Sequence, residues 1–161
     1  MRTKKNKKVR IGCASGFWGD TSTAAKQLVD DNNIDYLIFD FLSEVTMSIL
    51  AGAKLKDPNL GYAKDFISQL KPLLYDINRK NIKIISNAGG INPESCRSVL
   101  LHEAKKIGLD INIGVVYGDN LMSDLEKLKN MNFKEIDSGE KFPKNILSMN
   151  AYLGAPAIAS A

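Results

Sequence analysis

Apolar runs alternate with amphipathic stretches along most of this chain. Lys8 to Ala14 (KVRIGCA), Asp35 to Phe41 (DYLIFDF), Asn81 to Asn87 (NIKIISN) and Asp110 to Tyr117 (DINIGVVY) read as four strands, with a weaker fifth at Lys144 to Met149 (KNILSM). Their near-continuous apolar character and β-branched residues suit strands buried on both faces, hence a parallel sheet. Between them lie helical periodicities. One starts near Asp20 or Thr21 and runs to about Asp31, with Ala24, Ala25, Leu28 and Val29 on one side. A second spans about Ser43 to Lys54 and should stop before Pro58. A third spans about Leu60 to Arg79, where Pro72 should kink or divide it because proline lacks the donor and clashes with the preceding turn. A fourth opens at Asn92-Pro93, a favoured cap followed by a favoured first residue, and closes at Gly108. Met122 to Lys129 is a short fifth.

Strand–helix alternation of this kind predicts an α/β fold: three layers around a mainly parallel, Rossmann-like sheet of about five strands. Part of a β/α barrel is the alternative, since successive βα units fit both. No repeat, low-complexity tract or interdomain linker divides the 161 residues, which suit a single domain with a real core. The expected organisation is a basic tail over residues 1–8 followed by one α/β domain over 9–161.

The formal charge of +4 changes meaning once it is located. Arg2, Lys4, Lys5, Lys7 and Lys8 fall in the first eight residues, which hold no acid; without them 17 basic residues face 18 acidic ones. The basicity therefore belongs to a solvated leader, and nucleic acid is not the expected partner. No apolar run approaches the length that crosses a membrane, and no secretory signal region follows the leader, so the cytoplasm is the expected compartment. Cys13 and Cys96 lie far apart with no CxxC, which suggests neither a disulfide framework nor a zinc site.

In parallel α/β folds the ligand crevice lies beyond the carboxyl ends of the strands. Ser15, Gly16, Trp18 and Asp20 follow the first strand. Asp40 and Glu44 follow the second, Asn87, Gly89, Gly90 and Asn92 the third, Asp119 the fourth and Asn150 the fifth. Asp20, Asp40, Glu44 and Asp119 are thus acid/base candidates, and Ser15, Gly16, Trp18, Asn87, Gly89, Gly90, Asn92 and Asn150 are ligand-binding candidates. Asp and Asn are also common turn residues, so part of the set would arise in any such fold. The Gly89-Gly90 pair before a capped helix start would seat an anion such as a phosphate, a carboxylate or a CoA pyrophosphate, or it serves only a tight turn. Trp18 either covers the sheet end as packing or walls an apolar ligand.

Gly12, Gly16 and Gly19 give GxxxGxxG rather than a dinucleotide fingerprint, and no P-loop is present. His102, the sole histidine, falls off the apolar side of its helix, which leaves no Ser–His or Cys–His pair; Cys13 is expected in the core. Chemistry here would use carboxylates, amides, backbone donors or a bound cofactor. No motif names that cofactor; a CoA thioester or a hard divalent metal such as Mg²⁺ would suit the polar set, though no metal-ligand spacing specifies one.

The loops SGFWGD (Ser15 to Asp20), DYLIFDFLSEVTMSIL (Asp35 to Leu50), KDPNLGYAKDF (Lys56 to Phe66), NAGGINP (Asn87 to Pro93) and NAYLGA (Asn150 to Ala155) together resemble the amino-terminal domain of the acyclic terpene utilisation protein family. The resemblance covers everything after the basic tail. It implies a component of bacterial catabolism of branched acyclic terpenes of the citronellol and geraniol type, or of other branched acids, beside acyl-CoA carboxylation and hydration steps. It assigns no reaction and no catalytic roles. The family pattern is expected to continue beyond the helix that opens at Ala155, so a truncated member is expected, with a partner polypeptide or a second copy covering its open edge. A catalytic chain and a non-catalytic binding subunit are the two readings this leaves.

Overall fold

The computed structural model describes residues 8–161. The leader's Arg2, Lys4, Lys5 and Lys7 therefore lie outside the described residues. The structure is mixed α/β around a small open parallel sheet of three strands in the order β1-β2-β3. These are β1 (Ile11–Ser15), β2 (Tyr36–Phe39) and β3 (Lys83–Ser86). Helix α1 (Ala24–Asp31) links the first two strands. The second crossover holds α2 (Glu44–Lys56), α3 (Lys64–Leu70), a 3₁₀ turn (Lys71–Leu73) and α4 (Leu74–Arg79). After β3 comes α5 (Pro93–Lys106), then a 3₁₀ turn (Met122–Asp124), α6 (Leu125–Asn130) and α7 (Ala155–Ser160).

Local chemistry sets the boundaries. The Ser43 hydroxyl accepts from the Thr46 amide and caps α2. Pro72 occupies the 3₁₀ turn and divides the long helix as its missing donor requires. Asn32 takes the left-handed conformation at the end of α1, one of few non-glycine residues that does so at modest cost.

The register is simple: Tyr36 pairs with Ile11 and Lys83, and Ile38 with Cys13 and Ile85. A bulge between Cys13 and Ser15 inserts Ala14. Leu37 and Phe39 point into the core, where Phe39, Phe41 and Phe66 meet, with Phe66 edge-on to both others. Val29, Leu70, Leu74, Ile77 and Leu100 complete that side. Consecutive right-handed crossovers place their helices on one face of a sheet. The other face stays open: Ile11 is 66% exposed, Cys13 is exposed, and Ile38 and Ile85 are half-buried.

Three expectations are corrected here. Cys13 is exposed rather than in the core, because it sits on the open face. The segment 110–117 forms no strand. It is held along α5 instead: Arg97 Nε donates to the Ile113 carbonyl (3.2 Å) and the Tyr117 hydroxyl to Glu94. Ile111 and Ile113 lean on the core from there. The expected fifth strand, Lys144 to Met149, does not form either; just beyond it Asn150 makes an isolated antiparallel bridge to Asn120, which adds nothing parallel. Among the described residues none after Ala104 is buried. No helix among them is long and apolar enough to cross a membrane.

Candidate functional site

The carboxyl ends of β1, β2 and β3 carry the best-defined polar group. The Asn87 side chain bridges two strand ends: its Oδ1 accepts from the Phe41 amide (2.8 Å) and its Nδ2 donates to Asp40 Oδ1 (2.7 Å). The Asp40 amide in turn donates to the Ser15 carbonyl (3.1 Å). Asp20 Oδ2 accepts from the Gly16 amide (2.9 Å) and closes the loop after β1. Ser15 is 2% exposed and its hydroxyl has no hydrogen-bond partner, an unusual state for a buried polar group. Asp40, Asn87 and Asp20 are exposed, so they face solvent at this edge.

Ser15, Gly16, Asp20, Asp40 and Asn87 are thus tied to adjacent strand ends by hydrogen bonds. Glu44 begins α2, exposed, four residues beyond Asp40. Asp119 and Asn150 form a second group: Asn150 Nδ2 donates to Asp119 Oδ2 (2.8 Å) within the antiparallel bridge. No hydrogen bond joins the second group to the first among the described residues.

The Gly89-Gly90 loop is filled by the protein itself. A Cβ on Gly90 would lie 2.4 Å from Leu50 Cδ1 and 2.7 Å from the Gly61 carbonyl oxygen, and its φ is +54°. A Cβ on Gly89 would lie 2.8 Å from Pro93 Cβ. Both glycines therefore answer to a tight turn packed on α2 and α5. The Asn92 side chain does not cap α5; its Nδ2 donates to the Pro58 and Leu60 carbonyls and ties that turn to the α2–α3 loop. Trp18 is half-buried against the core, and its indole N–H donates to Asp65 Oδ2 (2.8 Å) at the start of α3. That contact supports the packing role.

Electrostatics are strongest away from this edge. Glu103 on α5 pairs with Lys106 and with Lys71, and these hydrogen bonds lower its carboxyl from 4.5 to about 2. Burial pushes the Cys96 thiol up to about 12, which makes it inert as a nucleophile. His102 is exposed. Among the described residues no three of His, Cys, Asp and Glu gather closely enough to hold a metal ion.

One feature escaped the sequence reading. Lys54 Nζ donates to the Ile91 carbonyl (2.8 Å), and these residues wall a groove of about 240 Å³ between α2 and the segment containing Asn120 and Asn150. Nothing in the helix AGAKLK marks Lys54 from its neighbours; only the fold brings the loop after β3 against it.

The pattern that defines the acyclic terpene utilisation family protein AtuA matches residues 9–161. No curated protein and no solved structure matches the chain. With the match running from the start of β1 through α7, the chain belongs to the acyclic terpene utilisation family.

Proposed function

We propose that this chain serves the breakdown of branched acyclic terpenoid or other branched acids in the cytoplasm, and that it binds a small acyl group, free or as a CoA thioester, at the carboxyl edge of its sheet. The observation that carries the reading is the Asp40–Asn87 pair on adjacent parallel strand ends. Ligands of parallel α/β folds gather at that edge. The Asp40 carboxylate repels a free acid, so a thioester carbonyl suits the edge better. Asp40 would then take or give a proton and Asn87 hold its orientation. Asp20 and Glu44 are the neighbouring acid/base candidates. Asp119 and Asn150 would join only if their segment closes over the edge.

The reading is tested by calorimetric titration with a branched acyl-CoA, the free branched acid and CoA alone. Asp40→Ala should remove acyl-CoA binding while leaving the circular dichroism spectrum unchanged. Equal affinity for acyl-CoA and CoA, or an unchanged Asp40→Ala titration, would sink it.

A second reading, a binding subunit completed by another chain or copy, draws on the open face at Ile11, Cys13, Ile38 and Ile85. Parallel sheets are covered on both faces in almost all proteins. The strand order β1-β2-β3 fits a barrel segment and equally the first half of a doubly wound sheet, and either would need further elements to be completed. A stable monomer that binds no hydrophobic dye would count against this reading.

A further inference from the structure

We infer that the groove between α2 and the segment 120–150 is a binding site for a monocarboxylate with a short hydrocarbon tail, separate from the Asp40–Asn87 edge. Lys54 supplies the charge. It is half-buried, its Nζ spends one of three donors on the Ile91 carbonyl, and it pairs with no carboxylate among the described residues. A half-buried cation without a counter-ion is an unfinished electrostatic arrangement, which an anion completes. Asn120 also lines the groove; its Oδ1 is occupied by the Met122 amide, and its Nδ2 has no hydrogen-bond partner among the described residues, so it is the second available donor. Two acids flank the groove's residues in the chain, and both have other partners: Asp57, three residues beyond Lys54, accepts from Asn59, and Asp119 accepts from Asn150.

The remaining walls are apolar. Leu55 is 73% exposed and Leu147 61%, and with Met122 they line the groove. Those side chains gain by meeting hydrocarbon. A groove of about 240 Å³ is smaller than the pockets that hold drug-sized ligands, so it suits a short tail. The groove also lies between the part of the chain that carries the core and the part that buries nothing. Its occupant would therefore fasten the second part to the first.

The probe is hexanoate, compared with hexan-1-ol and acetate, in calorimetric titration and hydrogen exchange on the full chain. Hexanoate should saturate the wild type at millimolar concentration and slow exchange across residues 119–150. Hexan-1-ol, lacking the charge, and acetate, lacking the tail, should each bind at least about tenfold more weakly. Lys54→Gln should weaken hexanoate by about tenfold or more, since Gln keeps a donor for Ile91 but loses the charge. Leu55→Asp, at an exposed position that tolerates the change, should weaken it as well. Lys56→Gln on the same helix should leave it within about twofold of the wild type. Unchanged affinity in Lys54→Gln, equal binding of hexan-1-ol, or no saturable binding by the wild type would each overturn the site. Loss of hexanoate binding in Asp40→Asn with Lys54→Gln unaffected would place the acid at the sheet edge instead.

Discussion

Replacing Gly90 by alanine separates two roles that a glycine pair beside a helix start can play. If the loop holds a ligand, an added methyl group harms binding and leaves folding nearly intact. If the loop is packed, the methyl harms folding. The structure favours the second outcome. The new Cβ would meet Leu50 Cδ1 at 2.4 Å and the Gly61 carbonyl oxygen at 2.7 Å. The leucine can rotate, but the carbonyl is backbone, and the Ile91 amide already donates to it. Overpacking of this kind costs about 1 to 3 kcal/mol. The φ of +54° adds about 1 to 2 kcal/mol for a residue with a Cβ. Alanine returns about 0.4 to 1 kcal/mol by restricting the unfolded chain. The net loss is about 1 to 4.5 kcal/mol, or a fall in Tm of roughly 2 to 18 °C. Gly52→Ala is the control of opposite sign. Gly52 lies inside α2 with nothing within 4 Å of a new Cβ, so alanine should stabilise by up to about 1 kcal/mol. Urea unfolding followed by circular dichroism reads both. A Gly90→Ala variant as stable as the wild type would refute the packing assignment and return the loop to the ligand-binding candidates.

Three further outcomes follow from individual contacts. Asn87→Ala strands the Phe41 amide, whose residue is 1% exposed, and should cost about 1 to 3 kcal/mol in urea unfolding; Asn87→Asp keeps that acceptor but sets a carboxylate against Asp40, so its stability should fall as pH rises through the carboxylate range. Glu103 has a folded pKa lowered from 4.5 to about 2, so it stabilises the fold above that range and the contribution is lost as pH falls toward about 2. Glu103→Gln should therefore lower Tm at neutral pH, with the gap from wild type closing in acid; a gap independent of pH would contradict the Lys71–Glu103–Lys106 clamp. Asp65→Ala should shift the emission of Trp18, the only tryptophan, to longer wavelength with a stability change below about 1 kcal/mol, because the indole loses its acceptor at an exposed position.

The first half of the fold was legible because its signals are local. Ser43 caps α2 where the pattern places it, Pro72 breaks the long helix, and Pro93 begins α5. The strands at Tyr36–Phe39 and Lys83–Ser86 fall inside the apolar runs that predicted them, and Ile11–Ser15 overruns its run, Lys8 to Ala14, by one residue. The second half was not, because a strand is a relation between segments. Ile111, Ile113 and Val115 carry β-branched alternation, yet that composition says nothing about which partner lies alongside. Arg97 and Glu94 on α5 hold the segment by its Ile113 carbonyl and its Tyr117 hydroxyl. The polar groups after the strands divide the same way. Asp40 and Asn87 meet because their strands are neighbours in register, whereas Asp119 and Asn150 meet in an antiparallel bridge that no single-strand pattern specifies. Glycine gave the weakest guidance: Gly89 answers to Pro93 four residues on, but Gly90 is required by Leu50 and Gly61, residues distant in the chain that only the fold brings close.

The open sheet face and the unburied second part meet in one physical consequence. The Ile11, Cys13, Ile38 and Ile85 side chains contribute little hydrophobic stabilisation while they face water. Whatever covers them gains that energy, and a cover that reaches past the strand ends would also wall the carboxyl edge where Asp40 and Asn87 sit. Covering and site formation would then be coupled, since a carboxylate–amide hydrogen bond shielded from water is stronger than one in solvent. A charged substitution on the open face, Ile38→Lys, should then weaken acyl-CoA binding at the edge, although Ile38 itself is not among the edge's polar groups. The same substitution should leave hexanoate binding at Lys54 unchanged, because that groove is walled by α2 and the segment 120–150 rather than by the sheet.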